Sequence, residues 1–384
     1  MKTRRILLGL LLCGLLATSG AALWIKHQMN SAATRPGAAA ATQEFILPQG
    51  SSLRSALRLL QQKQLVTSAR YLEWYLRYTT PDPLAGRAVQ AGRYRVEPGQ
   101  KPLEILQQLA EGRVVMEQVT ILEGWTFAQM RAQLAKQAGL RQTIAGRSDE
   151  ELMTALGAPG VPAEGRFAPD TYSYAAGATS DMNVLRMAFE AQRRNLQEAW
   201  DMRLPDLPLD TPEQALALAS IIEKETGLAS ERSRVAGVYI NRLRTGMRLQ
   251  SDPTVIYGIR DRYDGNIRKR DLTTDTPYNT YTRTGLPPTP IALPGREAIV
   301  AAVNPEKTDA LFFVAIGDGS GGHYFSATYE EHNRALKRYL ERLRIRSLAE
   351  AWAEVQTPEP ATAPATAPIP PKPRPSPTKT GPKP

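Results

Sequence analysis

Cysteine and histidine are scarce in this chain. It has one Cys and three His in 384 residues. A single Cys excludes a framework of intramolecular disulfides. His27, His323 and His332 are too few and too widely separated to match the ligand spacing of a zinc site. We therefore expect no metal ion, no redox chemistry and no cofactor.

Nucleic-acid motifs are absent as well. The formal net charge of +10 would fit nucleic acid, an anionic membrane or an acidic polymer. Part of this charge lies at the two ends of the chain, and no helix-turn-helix, RNA-binding strand motif or zinc finger stands out between them. We expect no nucleic-acid partner. With 42% apolar and 22% charged residues, the chain has enough apolar side chains to form the cores of two or three globular domains.

Charged residues are missing from the 20 residues between Ile6 and Ile25. At ~1.5 Å per helical residue, such a run crosses a hydrocarbon layer of ~30 Å. Small residues near the end of this run would also fit the cleavage site of a signal peptide. Trp24 and Lys26, however, are typical of the residues that anchor a membrane span at the interface, so we favour an uncleaved span. Basic residues before the run outnumber those just after it. We therefore expect the amino terminus in the cytoplasm and the rest of the chain outside the inner membrane.

One local pattern occurs three times: a short strand, a turn containing Gly, and an amphipathic helix. The strands begin near Phe45, Tyr94 and Val119. Apolar residues spaced by three, four and seven, as from Leu53 to Leu60, mark the helical face that packs on the strands. The pattern predicts a small α+β module. Tyr94 to Arg113 resembles a LysM module, the kind that grips N-acetyl sugars, and a plain scaffold explains it equally well.

The most informative helix begins after Thr211. Thr211 and Gln214 predict a capping box, Pro212 suits the first helical position, and Gly227 fits the stop. Apolar side chains cover most of the circumference between these limits. We therefore expect the helix to be mostly buried.

Two carboxylates, Glu223 and Glu225, lie near the end of this helix. Burial of a carboxylate is costly, so each needs a partner or a raised pKa. Two residues apart, they lie roughly 200° apart around the axis and must have separate roles. Small neighbours leave space beside Glu223, whereas a buried ion pair is expected for Glu225. From the helix alone, catalysis by Glu223 and a structural salt bridge are about equally supported.

Further motifs follow in a fixed order. They are Ala219-Ser220-Ile221-Ile222-Glu223-Lys224-Glu225-Thr226, Asn241-Arg242-Leu243, Leu249 to Gly258, Tyr278-Asn279-Thr280-Tyr281 and Gly285-Leu286-Pro287-Pro288. Together they resemble the endolytic murein transglycosylase family, also called YceG-like. The resemblance implies that Glu223, the first Glu of the Glu-Lys-Glu-Thr run, is the catalytic acid. It also implies a membrane-anchored enzyme that makes internal cuts in peptidoglycan glycan strands.

The chemistry implied by the resemblance needs one acid. A glycoside hydrolase usually uses two carboxylates. A lytic transglycosylase uses the C6 hydroxyl of the sugar as nucleophile and leaves a 1,6-anhydro-N-acetylmuramic acid end, so Glu223 can serve both steps if its pKa is raised. Two alternatives stay open: a muramidase-type hydrolase with Asp252 as second carboxylate, and a wall-binding scaffold without catalysis.

The same motifs suggest a substrate groove with hydrogen-bonding groups and aromatic faces. The residues assigned to substrate binding are Gln250, Ser251, Asp252, Tyr257, Asn279 and Tyr281. A packed Tyr- and Pro-rich loop remains the alternative for this stretch. Arg242 fits either a pair with Glu225 or a contact with a stem peptide, and Lys224 is expected to be a solvated charge.

The predicted fold class is α+β, with a single N-terminal transmembrane helix, a LysM-like α+β module and a mixed α/β catalytic domain. The segments are 1–27 (cytoplasmic stub and anchor), 28–43 (linker), 44–140 (LysM-like module), 141–205 (helical connection), 206–346 (catalytic domain) and 347–384 (Pro-rich disordered tail). Gly317 to Gly322 predicts a hairpin, and Thr328 with Glu331 predicts a last helix to about Ile345. Expected partners are glycan strands, the membrane and peptidoglycan synthases near newly made strands.

Overall fold

A computed structural model describes residues 2–37, 41–78 and 89–356. The helices are α1 (Lys2–Thr34), α2 (Leu53–Gln62), α3 (Ala69–Tyr78), α4 (Pro102–Glu111), α5 (Phe127–Ala135), α6 (Asp149–Ala155), α7 (Asp181–Asp201), α8 (Pro212–Glu225), α9 (Arg232–Arg244), α10 (Asp252–Gly258), α11 (Lys269–Thr273), α12 (Arg296–Val303) and α13 (Tyr329–Gln356). The strands are β1 (Gln43–Leu47), β2 (Gly92–Val96), β3 (Met116–Thr120), β4 (Thr171–Ala175), β5 (Phe312–Ala315) and β6 (His323–Ser326). This mixture of helices and small sheets confirms the α+β class.

The strands form antiparallel pairs, β1 with β2, β3 with β4 and β5 with β6. The three predicted strand–turn–helix units are present as β1–α2, β2–α4 and β3–α5. Each turn contains a glycine in the left-handed region, Gly50 at φ +76°, Gly99 at φ +79° and Gly124 at φ +73°. Glycine adopts this conformation without steric cost, so each turn is specified by its own residues.

The first core lies between β1, β2 and helices α2, α3 and α4. Its most buried side chains include Leu57, Leu60 and Tyr94. Ala32 and Ala33, near the end of α1, belong to the same core. The predicted linker 28–43 is helical as far as Thr34. The small side chains of Ala32 and Ala33 let this end of α1 pack closely against the core.

The predicted membrane span, Ile6 to Ile25, lies within α1. The side chains of residues 6–14 lie outside the described ones. Of the residues that the structure describes, no helix combines the length and the apolarity needed to cross a membrane.

A second core joins β3 and β4 with α5, α6 and α7. It contains Val119, Leu140, Leu152 and Val184, and the rings of Phe127 and Phe167 stack with centroids 4.6 Å apart. The predicted boundary at residue 140 falls inside this core. The reason is that β3 pairs with β4 about fifty residues later, a contact that local patterns do not reveal.

Helix α8 is the buried helix that the sequence predicts. The hydroxyl of Thr211 accepts a hydrogen bond from the backbone N–H of Gln214 at 3.3 Å, and every residue from Ala215 to Ile222 is buried. The helix ends at Glu225, since Thr226 is extended. Helix α8 packs against α12, α9 and α7. Its last turn contains the two carboxylates, Glu223 and Glu225.

Residues 312–356 belong to a separate compact unit. Strands β5 and β6 form the predicted hairpin, and the backbone N–H of Glu331 donates to the hydroxyl of Thr328, as the predicted cap requires. Helix α13 continues to Gln356, so residues 347–356 are helical although the sequence analysis assigned them to the tail. The rest of the predicted tail, 357–384, lies outside the described residues.

Candidate active site

Glu223 lies in the last turn of α8 and is half-buried. Its Oε2 accepts a hydrogen bond of 2.9 Å from the backbone N–H of Gly295, the residue that precedes α12. Burial raises the pKa of Glu223, and the negative charge of Glu123 acts in the same direction. The Gly295 N–H and the charges of Arg232 and Lys224 act in the opposite direction. Glu223 is thus a carboxyl biased towards its protonated form, with cations near enough to stabilise its anion.

Two glycines lie near this carboxyl group. A Cβ on Gly124 would make only an ordinary contact, at 3.9 Å, with Cγ of Glu223, whereas a Cβ on Gly295 would lie 2.0 Å from Oε1 of Glu123 and would displace that side chain. The ammonium group of Lys224 donates to the carbonyl oxygen of Gly124 at 3.2 Å. Lys224 is exposed, as predicted for a solvated charge, and this hydrogen bond also ties the end of α8 to the turn after β3.

Glu225 occupies a different environment. Its Oε1 accepts hydrogen bonds from the hydroxyl of Tyr239 at 2.7 Å and from the hydroxyl of Ser251 at 2.5 Å. Arg242 is 7% exposed, and its guanidinium donates to the carbonyl oxygens of Leu249 and Leu311. Burial lowers the pKa of Arg242, while Tyr239 and Glu225 act to raise it. Arg242 and Glu225 therefore belong to one largely buried polar network.

Asp252, the predicted second carboxylate, is exposed at the start of α10. Its Oδ1 accepts a hydrogen bond of 2.6 Å from the hydroxyl of Tyr281. The carboxylate whose charge acts on the pKa of Glu223 is instead Glu123. Asp252 therefore adjoins the network of Glu225, through its neighbour Ser251.

The structure divides the predicted substrate-binding residues into two groups. Gln250 and Asp252 are exposed and Tyr281 is half-buried, so their side chains are open to a ligand. Ser251, Tyr257 and Asn279 are buried. The side-chain amide of Asn279 donates to three backbone carbonyls, at 2.7 to 3.2 Å. The donors of this amide are used by the chain itself, so Asn279 shapes the loop.

Comparisons with known proteins agree with the motifs around Glu223. The family model described as the YceG-like family matches residues 45–338. The chain belongs to the YceG-like family. The resemblance drawn from the ordered motifs is thereby confirmed.

Individual relatives carry a functional name. A protein of Bacillus subtilis (strain 168) named endolytic murein transglycosylase is 30% identical over 316 residues, covering 78% of this chain and 85% of that protein. A Streptococcus pneumoniae (serotype 2, strain D39) protein of the same name is 25% identical over 328 residues, covering 77% of this chain but 58% of that protein. The crystal structure of a YceG-like protein from Listeria monocytogenes has 29% identity, covers 76% of this chain and 98% of that chain, and gives a TM-score of 0.48.

A further carboxyl group of this YceG-like protein, Glu164, was missed as a site residue. Its Oε1 accepts a hydrogen bond of 2.9 Å from the backbone N–H of Phe127, and its Oε2 accepts one of 3.2 Å from the hydroxyl of Tyr257. Burial raises the pKa of Glu164 to about 7, although these bonds and the charge of Arg260 act to lower it. The signal in the sequence was a charged residue directly before Gly165, at the end of the uncharged stretch from Ala158 to Ala163.

Tyr257 is therefore not the open aromatic face that the sequence suggested. It is 9% exposed. The guanidinium of Arg260 lies 4.8 Å from its ring centroid, and the ring of Tyr278 meets it edge-on with centroids 4.8 Å apart. Tyr257 is packed between these two side chains and holds Glu164 through its hydroxyl.

Proposed function

We propose that this YceG-like protein cleaves peptidoglycan glycan strands as an endolytic lytic transglycosylase, with Glu223 as its single catalytic acid. The observation that carries the proposal is the environment of Glu223, a half-buried carboxyl with a raised pKa at the end of α8. The names of the Bacillus and Streptococcus relatives support the substrate class. No second carboxylate is required for this reaction.

The reaction has two proton transfers at one carboxyl group. Protonated Glu223 donates its proton to the oxygen between N-acetylmuramic acid and N-acetylglucosamine, and the bond from C1 to that oxygen breaks. The carboxylate then takes the proton of the C6 hydroxyl, whose oxygen bonds to C1 and closes a 1,6-anhydro ring. The N–H of Gly295 donates to Glu223 and stabilises the intermediate carboxylate, since a hydrogen bond to the charged form favours it.

The competing chemistry is hydrolysis with Asp252 as second carboxylate. Hydrolysis would add water to C1 and leave a reducing end instead of an anhydro ring. The position of Asp252 beside the Glu225 network argues against a direct part in the reaction at Glu223. The products of the two reactions differ by one water molecule and are separated by mass.

The test is digestion of purified glycan strands followed by mass spectrometry of the fragments. Internal fragments with anhydro ends are expected, and reducing ends would contradict the proposal in favour of the hydrolase. Glu223→Gln should lower the rate by at least about 100-fold, the usual scale of general acid–base catalysis. Glu213→Gln, an exposed change at the start of the same helix, is the matched control and should cleave at the parental rate.

The proposal also covers the membrane anchor, the amino-terminal module and the partners of the enzyme. The uncharged run from Ile6 to Ile25 would anchor the chain in the inner membrane with the catalytic residues outside. The order β1–α2–α3–β2, with its strands antiparallel, supports a LysM-like unit that binds N-acetyl sugars. An anchored enzyme of this kind would work beside peptidoglycan synthases and end the growth of nascent strands.

A further inference from the structure

A separate pocket opens beside the start of α5. It has a volume of about 290 Å³. Its walls include Thr126, Glu164, Tyr257, Arg260, Tyr278 and Thr289. Its lining therefore combines aromatic and apolar side chains with a guanidinium, a carboxyl group and hydroxyls. A pocket with a few convergent polar groups on an apolar wall is typical of a ligand site.

The polar groups of this pocket are held in fixed positions. The carboxyl group of Glu164 accepts two hydrogen bonds, from the backbone of Phe127 and from the hydroxyl of Tyr257. The hydroxyls of Tyr278 and Thr289 are 2.8 Å apart, which orients the half-buried ring of Tyr278 in the wall. Arg260 lies over the ring of Tyr257 and is itself exposed. Its guanidinium is available to an incoming ligand without rearrangement of the wall.

Two short backbone segments connect the pocket with Glu223. Residue Leu293 exchanges backbone hydrogen bonds with Gly124, at 2.9 Å, and with Trp125, at 2.7 Å. At one end of this contact, the N–H of Gly295 binds Glu223; at the other, the N–H of Phe127 binds Glu164.

The stretch between the two carboxyl groups is short. A Cβ on Gly124 would lie 3.9 Å from Cγ of Glu223, and the three steps along the backbone from Gly124 to Phe127, whose N–H binds Glu164, span at most about 11 Å when extended. A glycan chain of a few sugar residues covers such a distance. The pocket and the catalytic carboxyl group are therefore placed to bind neighbouring parts of the same strand.

We propose that this pocket is a sugar subsite, which binds an N-acetylhexosamine residue of the strand within a few sugars of the bond that is cleaved at Glu223. The apolar face of the sugar lies against the ring of Tyr278, and its hydroxyl and acetamido groups bind Arg260 and Glu164. The inference rests on the proposed function, because it takes the ligand to be a glycan strand. Its own claim is that these side chains supply affinity and not chemistry.

Binding is measured on the full chain carrying Glu223→Gln, by calorimetry with the soluble N-acetylglucosamine hexamer as probe. Arg260→Ala and Tyr278→Ala should each raise Kd about 10-fold, the loss typical of one good polar or stacking contact. As a matched control, Arg203→Ala, whose exposed guanidinium lies over Trp200 elsewhere, should leave Kd unchanged. In the active enzyme, the two pocket variants should raise KM while kcat changes by less than about 3-fold.

Unchanged Kd and KM in Arg260→Ala and Tyr278→Ala would overturn the subsite, as would a fall in kcat alone. If the alanine variants do not fold, hydrogen exchange of the Glu223→Gln protein decides. The probe should protect residues 126–128 and 257–260, and equal exchange with and without it would refute the inference. The proposed function is contradicted by a different result, cleavage by Glu223→Gln at the parental rate. That result would not change the measured Kd values, so the two proposals can fail separately.

Discussion

The backbone N–H of Gly295 lies 2.9 Å from Oε2 of Glu223 and joins the start of α12 to the end of α8. Helices α8 and α12 pack against each other along their buried faces. Any shift between them would change this contact, so the orientation of the carboxyl group depends on the packing of the two helices. The packing of these two helices therefore positions the carboxyl group of Glu223.

Glu123 should tune the pH range of activity. Its negative charge acts to raise the pKa of Glu223, and it pairs with Arg232 at 3.6 Å. Glu123→Gln removes that charge and leaves the positive charge of Arg232, so both effects lower the pKa of Glu223. Because the protonated acid starts the reaction, activity should be lost at lower pH than in the parent.

The measurement is kcat/KM as a function of pH for the parent, Glu123→Gln and Glu150→Gln. Glu150 is an exposed residue of α6, and its variant should keep the parental profile. An alkaline limb of Glu123→Gln that coincides with that of the parent, or lies at higher pH, would show that Glu123 does not act on the acid.

Tyr239 should stabilise the fold through Glu225. Its hydroxyl is buried and donates to Oε1 of Glu225 at 2.7 Å. A buried hydrogen bond to a charged group contributes about 1.5–3 kcal/mol. Tyr239→Phe should lower the free energy of unfolding by that amount in urea titrations, whereas Tyr78→Phe, at a ring that is 71% exposed, should have little effect.

Activity separates a structural role for Glu225 from a catalytic one. At a temperature where Tyr239→Phe is folded, its kcat should be within a few-fold of the parent, because Glu223 keeps its contact with Gly295. A fall in kcat on the scale of about 100-fold, with stability unchanged, would place Glu225 in the reaction itself.

The sequence predicted the parts of the site that depend on local patterns. The cap at Thr211, the apolar face of α8 and the turn at Gly124 each follow from residues within a few positions of one another. The opposite placement of Glu223 and Glu225 follows from helix geometry, and their separate hydrogen-bond partners agree with it.

The remaining parts depend on contacts between distant residues. Gly295 meets Glu223 across 72 positions, and Tyr257 meets Glu164 across 93. Residue type alone also did not distinguish a ligand-binding amide from a structural one. Asn279 has the chemistry to bind an acetamido group, yet backbone carbonyls of its own loop use its donors.

Gly165 should be intolerant of a side chain for two separable reasons. It has φ +79°, and a Cβ there would lie 2.4 Å from Cβ of Pro290. Gly160 has φ +75°, and a Cβ there would have no atom within 4 Å, so Gly160→Ala carries only the conformational cost of about 1 kcal/mol. Gly165→Ala should cost about 1–3 kcal/mol more than this control in thermal or urea unfolding. Equal losses would mean that Pro290 moves away freely.

Glu164 should make the stability of the protein depend on pH. Its pKa is about 7 in the fold against an ordinary value of 4.5, because burial disfavours the charged form. The folded protein therefore holds this proton more tightly than the unfolded chain, so stability is highest below about pH 4.5 and is lost as the pH rises through 7. One pKa unit corresponds to 1.36 kcal/mol, so the loss reaches about 3 kcal/mol at pH 8.

The neutral variant Glu164→Gln isolates this contribution. Its amide oxygen still accepts the N–H of Phe127, and it has no charge to desolvate. The difference in unfolding free energy between Glu164→Gln and the parent should therefore grow in favour of the variant from pH 5 to pH 8, as measured by urea titrations at both values. Glu150→Gln, at an exposed site, should show no such trend. A difference that stays constant across this range would mean that Glu164 is ionised in the fold at pH 5, and that Arg260 and the Tyr257 hydroxyl outweigh its burial.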